Sequence, residues 1–195
     1  MIRRNLIALL AALSLAACGP SGSTFQNTDL SAGALFPTAS LVGADGQPRN
    51  LADFRGKVVI VLFGYTNCGQ SCQIALSKYA TLIRFLRTRD AERVQVVFIS
   101  VDPERDSPER LNAFVRRFHP DFVGLSGDLQ QIADFARQLK VSDAAKPSGE
   151  GGTRVIEHGT GAHVIDAKGQ LRLAIGEDTA IEPIAADIRA LLDEK

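Results

Sequence analysis

Two cysteines, Cys68 and Cys72, lie on a short polar loop between an apolar run and a helical pattern. The apolar run, residues 57–63, reads KVVIVLF and stops at Gly64. A cysteine near the start of a helix is close to backbone N–H groups and to the positive end of the helix dipole, which stabilise thiolate over thiol. The loop therefore predicts a site for thiol exchange or for binding a soft metal ion.

The spacing of this pair, at i and i+4, differs from the i, i+3 pair of a thioredoxin. Side chains four apart in an ideal helix have Cβ atoms roughly 5–6 Å apart, whereas a disulfide needs about 3.8 Å. The loop must therefore be irregular to close a disulfide, and Gly69 supplies that freedom. Two thiolates held slightly apart can instead chelate a soft metal ion, for which Cu(I) is the leading candidate because thiolates select it, with Cu(II) as the alternative oxidation state of copper. A Cys₂His zinc site with an open coordination position is a chemical alternative.

The elements that must position this loop alternate between strands and helices. The apolar runs at 57–63 and 94–101 are continuous, which is typical of strands buried on both faces of a sheet. Ser107 and Pro108 form an N-cap and first-turn pair for a helix that ends before Pro120. Further helices are predicted at 74–89, 128–140 and 181–192, and further strands at 122–125, 162–166 and 171–175.

This order predicts an α/β protein with a thioredoxin-like fold, in which helices flank a central mixed β-sheet. Asp45 and Gly46 mark the turn of an N-terminal β-hairpin within residues 39–51. Residues 142–153 contain Gly, Pro and Ser without periodicity and are predicted to form a loop.

The chain has three histidines, and His158 is the candidate third copper ligand. It lies in the loop entering a predicted strand, and in thioredoxin-like sheets this loop abuts the cysteine loop. Glu157 could orient its imidazole as a hydrogen-bond acceptor. A solvent-exposed loop histidine is the alternative for His158. We expect His119 to be a helix-end residue and His163 to be a packed strand residue.

The N-terminal residues predict export and a lipid anchor. Arg3 and Arg4 precede an apolar stretch, 6–17, which is shorter than the roughly 18–20 residues that span a bilayer. Residues 15–19, LAACG, resemble a bacterial lipobox in which Cys18 is lipidated. Simple signal cleavage beside an incidental cysteine is the alternative.

We therefore expect a lipoprotein signal peptide at 1–17, a flexible tether at 18–37 and a thioredoxin-like copper-binding domain at 38–195. The domain would lie in the periplasm or extra-cytoplasmic space of a bacterial cell envelope, held to the membrane by lipid. Gly19 leaves the choice of inner or outer membrane open. The formal net charge is zero, so the sequence shows no excess of basic residues that would predict binding to nucleic acid.

The chain resembles the Sco (SenC) family of copper-handling, thioredoxin-like proteins over roughly residues 40–193. The most specific segment is SVDPERDSPERL at 100–111. The other segments are Gly56-Lys57, GYTNC at 64–68 with Cys72, and Glu157-His158. The resemblance implies that the two cysteines and the distal histidine bind copper, and that the cysteines can cycle through a disulfide.

It also implies a role in maturing the CuA centre of cytochrome c oxidase, with the CuA-bearing subunit and a periplasmic copper donor as partners. On this pattern the metal ligands are Cys68, Cys72 and His158. Asp102 is either an outer group near the site or a turn and cap residue. Gly69 stands where many members have proline, and Glu157-His158-Gly159 replaces the commoner Asp-His-Ser. A glycine there should make the thiol loop more flexible.

Two functions remain in competition. The first is a copper chaperone, which is a binding protein rather than an enzyme. The second is a thiol–disulfide oxidoreductase acting on cysteines of an oxidase subunit or another exported protein. His158 discriminates between them, because a third copper ligand needs an imidazole and thiol exchange does not. A peroxidase is disfavoured, since the paired thiols do not match a Thr-x-x-Cys arrangement.

Overall fold

The computed structural model describes residues 25–33, 35–38, 40–141, 146–148, 155–157 and 161–194. Its elements in chain order are β1 (Thr28–Asp29), β2 (Leu41–Val42), β3 (Pro48–Arg49), β4 (Val58–Gly64), α1 (Gln70–Phe85), α2 (Thr88–Ala91), β5 (Val94–Ser100), α3 (Pro108–Arg116), β6 (Val123–Leu125), α4 (Leu129–Gln138), β7 (Lys146–Ser148), β8 (Val155–Glu157), β9 (Ala162–Ile165), β10 (Leu171–Ile175) and α5 (Ile181–Asp193). Within these ranges, no helix combines the length and apolar character needed to cross a membrane.

A six-stranded sheet in the order β1-β10-β9-β4-β5-β6 forms the centre of the domain. Strands β4, β5 and β6 run parallel, whereas β9, β10 and β1 pair antiparallel with their neighbours. Every residue of β4 and β5 is buried, because α1, α3 and α5 cover one face and α4 covers the other. The predicted thioredoxin-like α/β fold with a mixed sheet is confirmed.

Side-chain caps begin two helices of the structure, and the sequence predicted the one at Ser107. The Ser107 hydroxyl accepts a hydrogen bond from the Arg110 N–H, and Pro108 is the first residue of α3. Asp128 forms a reciprocal capping box with Gln131 at the start of α4. The predicted hairpin is also present, since β2 and β3 pair across the Asp45-Gly46 turn.

The helix expected over 74–89 is instead two helices. It ends at Phe85, and α2 forms a separate single turn. Leu86 takes an extended conformation and buries its side chain in the core, and Arg87 is extended as well. Burial of Leu86 explains the break, which helical periodicity alone does not show.

The segment ahead of residue 38 differs from the expected tether. Strand β1 pairs with β10 at the sheet edge. The buried carboxylate of Asp187 accepts hydrogen bonds from the backbone N–H groups of Gln26 and Asn27. Residues 25–33 therefore belong to the folded domain, while Cys18 lies outside the described residues.

The region predicted as a patternless loop contains strand β7. It pairs antiparallel with β8 in a separate two-stranded sheet. Glu157 is the last residue of β8, and His158 lies outside the described residues.

Candidate metal and thiol site

The cysteine loop connects the end of β4 to the start of α1. The Cys68 N–H donates to the Tyr65 carbonyl over 3.3 Å, which closes a turn directly after the strand. Gly69 is the N-cap of α1 and has a φ of 71°, in the region that favours glycine. The two sulfurs are joined in a disulfide whose Cα atoms are 6.1 Å apart. The irregular backbone at Gly69 is what allows this i, i+4 pair to close.

The two cysteines differ in their access to solvent. Cys72 lies in the first turn of α1 and is 2% exposed, whereas Cys68 is half-buried. The Ser71 hydroxyl is 3.8 Å from the Cys68 sulfur and donates to the Cys68 carbonyl over 3.3 Å. An incoming thiol or metal ion therefore meets the Cys68 sulfur first.

Gly64 makes room for the buried sulfur. A Cβ atom at residue 64 would lie 2.7 Å from the Cys72 sulfur and 2.5 Å from the nearest atom of the Phe98 ring. Both distances are far inside van der Waals contact, so the Cys72 sulfur and the Phe98 ring occupy the space of the missing side chain. Glycine at the end of β4 is thus a packing requirement of the thiol pair.

Asp106 joins the cysteine loop to the neighbouring strand. Its carboxylate is 1% exposed and accepts hydrogen bonds from the backbone N–H of Thr66, at 2.8 Å, and from the Thr66 hydroxyl. It also accepts from the hydroxyl of Ser100, the last residue of β5, at 2.8 Å. One buried carboxylate therefore fixes the loop two residues ahead of Cys68.

Sequence reasoning selected Asp102 rather than Asp106 as the acid near this site. The Asp102 carboxylate pairs with Arg105, and its carbonyl accepts from the N–H groups of Arg105 and Asp106. Asp102 thus shapes the turn that follows β5, and Asp106 makes the contact with the thiol loop. Both acids follow the same strand, but the sequence carries no signal for which of them faces Thr66.

The two histidines that the structure describes, His119 and His163, have other surroundings than the cysteine loop. His163 on β9 lies between Val61 of β4 and Ala174 of β10, and burial lowers its pKa to about 4. Its Nδ1 is buried and has no partner among the described residues. The Nδ1 of His119 accepts from the Asp121 N–H at 3.3 Å, and its ring lies 5.2 Å from that of Phe122. These environments match the expected packed strand residue and helix-end residue.

Among the residues that the structure describes, no group of three His, Cys, Asp or Glu side chains could hold a metal ion. The register of β9 shows at which end of the sheet this strand begins. Ala162, the first residue of β9, pairs with Leu62, two residues before Gly64. The chain therefore enters β9 at the same end of the sheet as the cysteine loop.

Comparison with known proteins agrees with this geometry. A family model described as SCO1/SenC matches residues 30–193. The chain belongs to the SCO1/SenC family. It is 36% identical over 151 residues to the mitochondrial protein SCO2 homolog of Mus musculus, covering 77% of this chain and 59% of that protein. The chain thus spans less than two thirds of the length of this curated relative.

Two solved structures extend the likeness to the fold. The apo Sco1 protein of Thermus thermophilus has a TM-score of 0.75 and 33% identity, over 89% of this chain and all of that one. Bradyrhizobium japonicum ScoI, solved with copper bound, has a TM-score of 0.70 and 29% identity, over 82% of this chain and all of that one. The same fold thus carries copper in one relative.

Proposed function

We propose that this protein is a membrane-anchored, extra-cytoplasmic copper chaperone that assists assembly of the CuA centre of cytochrome c oxidase. The observation that carries the proposal is the pair of sulfurs on one loop, with Cys68 accessible and Cys72 buried against Gly64. Thiolates are the protein ligands that select Cu(I). Membership of the SCO1/SenC family and the copper-bound Bradyrhizobium relative support the same metal.

Loading of copper first requires reduction of the disulfide. A thiolate of an exported dithiol reductant attacks the accessible Cys68 sulfur, and the Cys72 sulfur leaves as a thiolate. The second thiol of the reductant then attacks the mixed disulfide, so that the reductant becomes a disulfide and two electrons pass to the pair. Cu(I) binds the two sulfurs as thiolates, and any thiol protons are released to water.

His158 is the third ligand in this proposal. The entry of β9 beside the end of β4 supports it, because the chain just ahead of Ala162 returns to the thiol end of the sheet. Glu157, the preceding residue, would accept a hydrogen bond from the second imidazole nitrogen and set the ring orientation.

Copper stoichiometry of the reduced protein tests this assignment. Wild type should bind one Cu(I) per chain, and His158→Ala should lose the ion or bind it much more weakly. His119→Ala is the matched control, because its ring lies against Phe122 and its Nδ1 accepts from the Asp121 N–H, so copper binding should stay unchanged. Wild-type copper binding in His158→Ala would contradict the ligand assignment while leaving the chaperone function standing.

A thiol–disulfide oxidoreductase is the second candidate, and the disulfide with one accessible sulfur favours it. The midpoint potential of the pair separates the two functions. Failure to bind copper, together with a potential in the range of thiol redox catalysts, roughly −270 to −120 mV, would establish the oxidoreductase instead.

The anchor and the partners are part of the same proposal. Cys18 is the lipidated residue, residues 1–17 are the signal peptide, and the domain lies outside the cytoplasm. Incorporation of labelled fatty acid should occur in wild type and disappear in Cys18→Ser. The CuA-bearing oxidase subunit receives the copper, and a periplasmic donor supplies it. Oxidase activity in cells lacking the protein should return with wild type and not with Cys68→Ser.

A further inference from the structure

Four arginines line an open pocket of about 530 Å³ at the end of the sheet opposite the thiol loop. We call it the arginine pocket; its arginines are Arg87, Arg89, Arg93 and Arg189, and Asp90 and Asp193 complete the lining. Three of the arginines surround the α2 turn just before β5 begins, and Arg189 comes from α5. Strand β5 runs from there to Ser100 beneath the cysteine loop, so a full strand separates the two sites.

None of these four arginines forms an ion pair with another described residue. Arg93 donates to the Leu192 carbonyl at 2.6 Å, and Arg189 lies 5.6 Å from the centre of the Phe85 ring. Arg87 and Arg89 are exposed. Arg172 provides the contrast, since its guanidinium pairs with both Asp166 and Glu194.

The lining carries an excess of positive charge, four guanidinium groups against two carboxylates. Like charges gathered around one cavity repel each other, and the two acids offset only part of that repulsion. Guanidinium groups also present paired donors that match the oxygens of a phosphate group. An anion in the pocket would therefore relieve the repulsion and satisfy the donors together.

We infer that the arginine pocket binds a phosphate group, whether of free phosphate or of a phospholipid headgroup. Arg93 and Arg189 are each held by a contact within the fold, which places two guanidinium groups before the anion arrives. Arg87 and Arg89 supply exposed donors at the rim. Phe85, which is 47% exposed, adds an aromatic ring beside the pocket that suits a headgroup region.

The test uses the processed chain from residue 18 with Cys18→Ser, so that neither an acyl chain nor the basic, apolar signal peptide contributes to vesicle binding. Calorimetric titration with inorganic phosphate at constant ionic strength measures the free anion. Co-sedimentation with phosphatidylglycerol vesicles, compared with phosphatidylcholine vesicles, measures the headgroup. The pocket variant is Arg87→Gln with Arg89→Gln, because neither side chain has an ion pair to lose.

The matched control is Arg110→Gln with Arg116→Gln, which removes the same charge from exposed residues of α3. The pocket variant should weaken binding of phosphate, of anionic vesicles or of both at least about tenfold relative to the control, since a hydrogen bond to a charged group contributes on that scale. Loss confined to phosphate identifies the free anion, and loss confined to vesicles identifies the headgroup. Equal binding of pocket and control variants to both probes, or no binding by the parent chain, would overturn the inference.

Discussion

The two ends of β5 are built in opposite ways. At the Ser100 end, the buried carboxylate of Asp106 accepts three hydrogen bonds, two of them from the cysteine loop. At the Val94 end, the arginine pocket leaves its guanidinium groups without carboxylate partners among the described residues. The thiol end therefore fixes the backbone just ahead of the two sulfurs. The pocket end leaves its charges available to an outside partner.

Among the substitutions that test this difference between the two ends, the one at Gly64 should cause the largest loss of stability. Gly64→Ala places a methyl group against the Cys72 sulfur and the Phe98 ring, and overpacking of this kind costs about 3 kcal/mol. Denaturant unfolding should show this loss, and copper binding by the reduced protein should weaken because the Cys72 sulfur is displaced. Gly176→Ala is the control, since its nearest neighbour would be 3.4 Å away. Equal stability of the two variants would contradict the packing role of Gly64.

The stability of the sheet should depend on pH through His163 on β9, which lies between the thiol end and the pocket end. Burial lowers the pKa of His163 from 6.5 to about 4. The unfolded chain therefore binds a proton on His163 at a higher pH than the folded chain does. Its contribution to stability is fully present above pH 6.5 and is lost as the pH falls towards 4, up to roughly 3 kcal/mol.

The measurement is the free energy of unfolding as a function of pH, for wild type and His163→Leu. The leucine variant cannot take up the proton, so the difference between the two curves isolates the histidine. The free energy of unfolding of wild type should fall relative to that of the variant as the pH is lowered from 6.5 towards 4. Parallel curves between pH 6.5 and 4 would refute the buried neutral state of His163.

Replacement of Asp106 tests how the thiol loop is fixed. Asp106→Asn exchanges a carboxylate oxygen for an amide that donates, which leaves a buried Thr66 or Ser100 donor without an acceptor and costs about 2 kcal/mol. The freed loop should also let dithiothreitol reduce the disulfide faster. Asp121→Asn is the control, since that side chain is 84% exposed. Wild-type stability and reduction rate in Asp106→Asn would show that the loop is held by other contacts.

The smallest effect is expected at the arginine pocket. Arg87→Gln with Arg89→Gln removes exposed side chains without ion pairs, so stability should change by no more than about 0.5 kcal/mol per substitution. Thermal unfolding at low ionic strength measures this. A loss as large as that of Asp106→Asn would mean that the arginines stabilise the fold, which would remove the contrast between the two ends.

Local signals account for the parts of the fold that the sequence predicted. The continuous apolar runs identify β4 and β5, because strands covered on both faces bury every residue. Ser107 and Asp128 mark helix starts, because their side chains accept hydrogen bonds from N–H groups within three residues. The fold class follows from the order of these elements.

The remaining features depend on contacts between distant residues. Asp106 binds Thr66 forty residues away in the chain, and Asp187 binds Gln26 across 161 residues. Neither contact produces a periodic pattern in the sequence. Residues 25–33 therefore looked like part of a linker, and Asp106 could not be distinguished from an ordinary acidic residue in a turn. The thiol pair could be predicted from the sequence, because Cys68 and Cys72 are only four residues apart in the chain.

The contacts of Asp187 also determine how the domain responds to mechanical load. A pull on the chain ahead of Phe25 reaches the domain through the Gln26 and Asn27 hydrogen bonds and then through the β1–β10 edge. Strands β10 and β9 separate that edge from β4. A load on the chain ahead of Phe25 is thus borne first at the edge of the sheet, two strands away from β4.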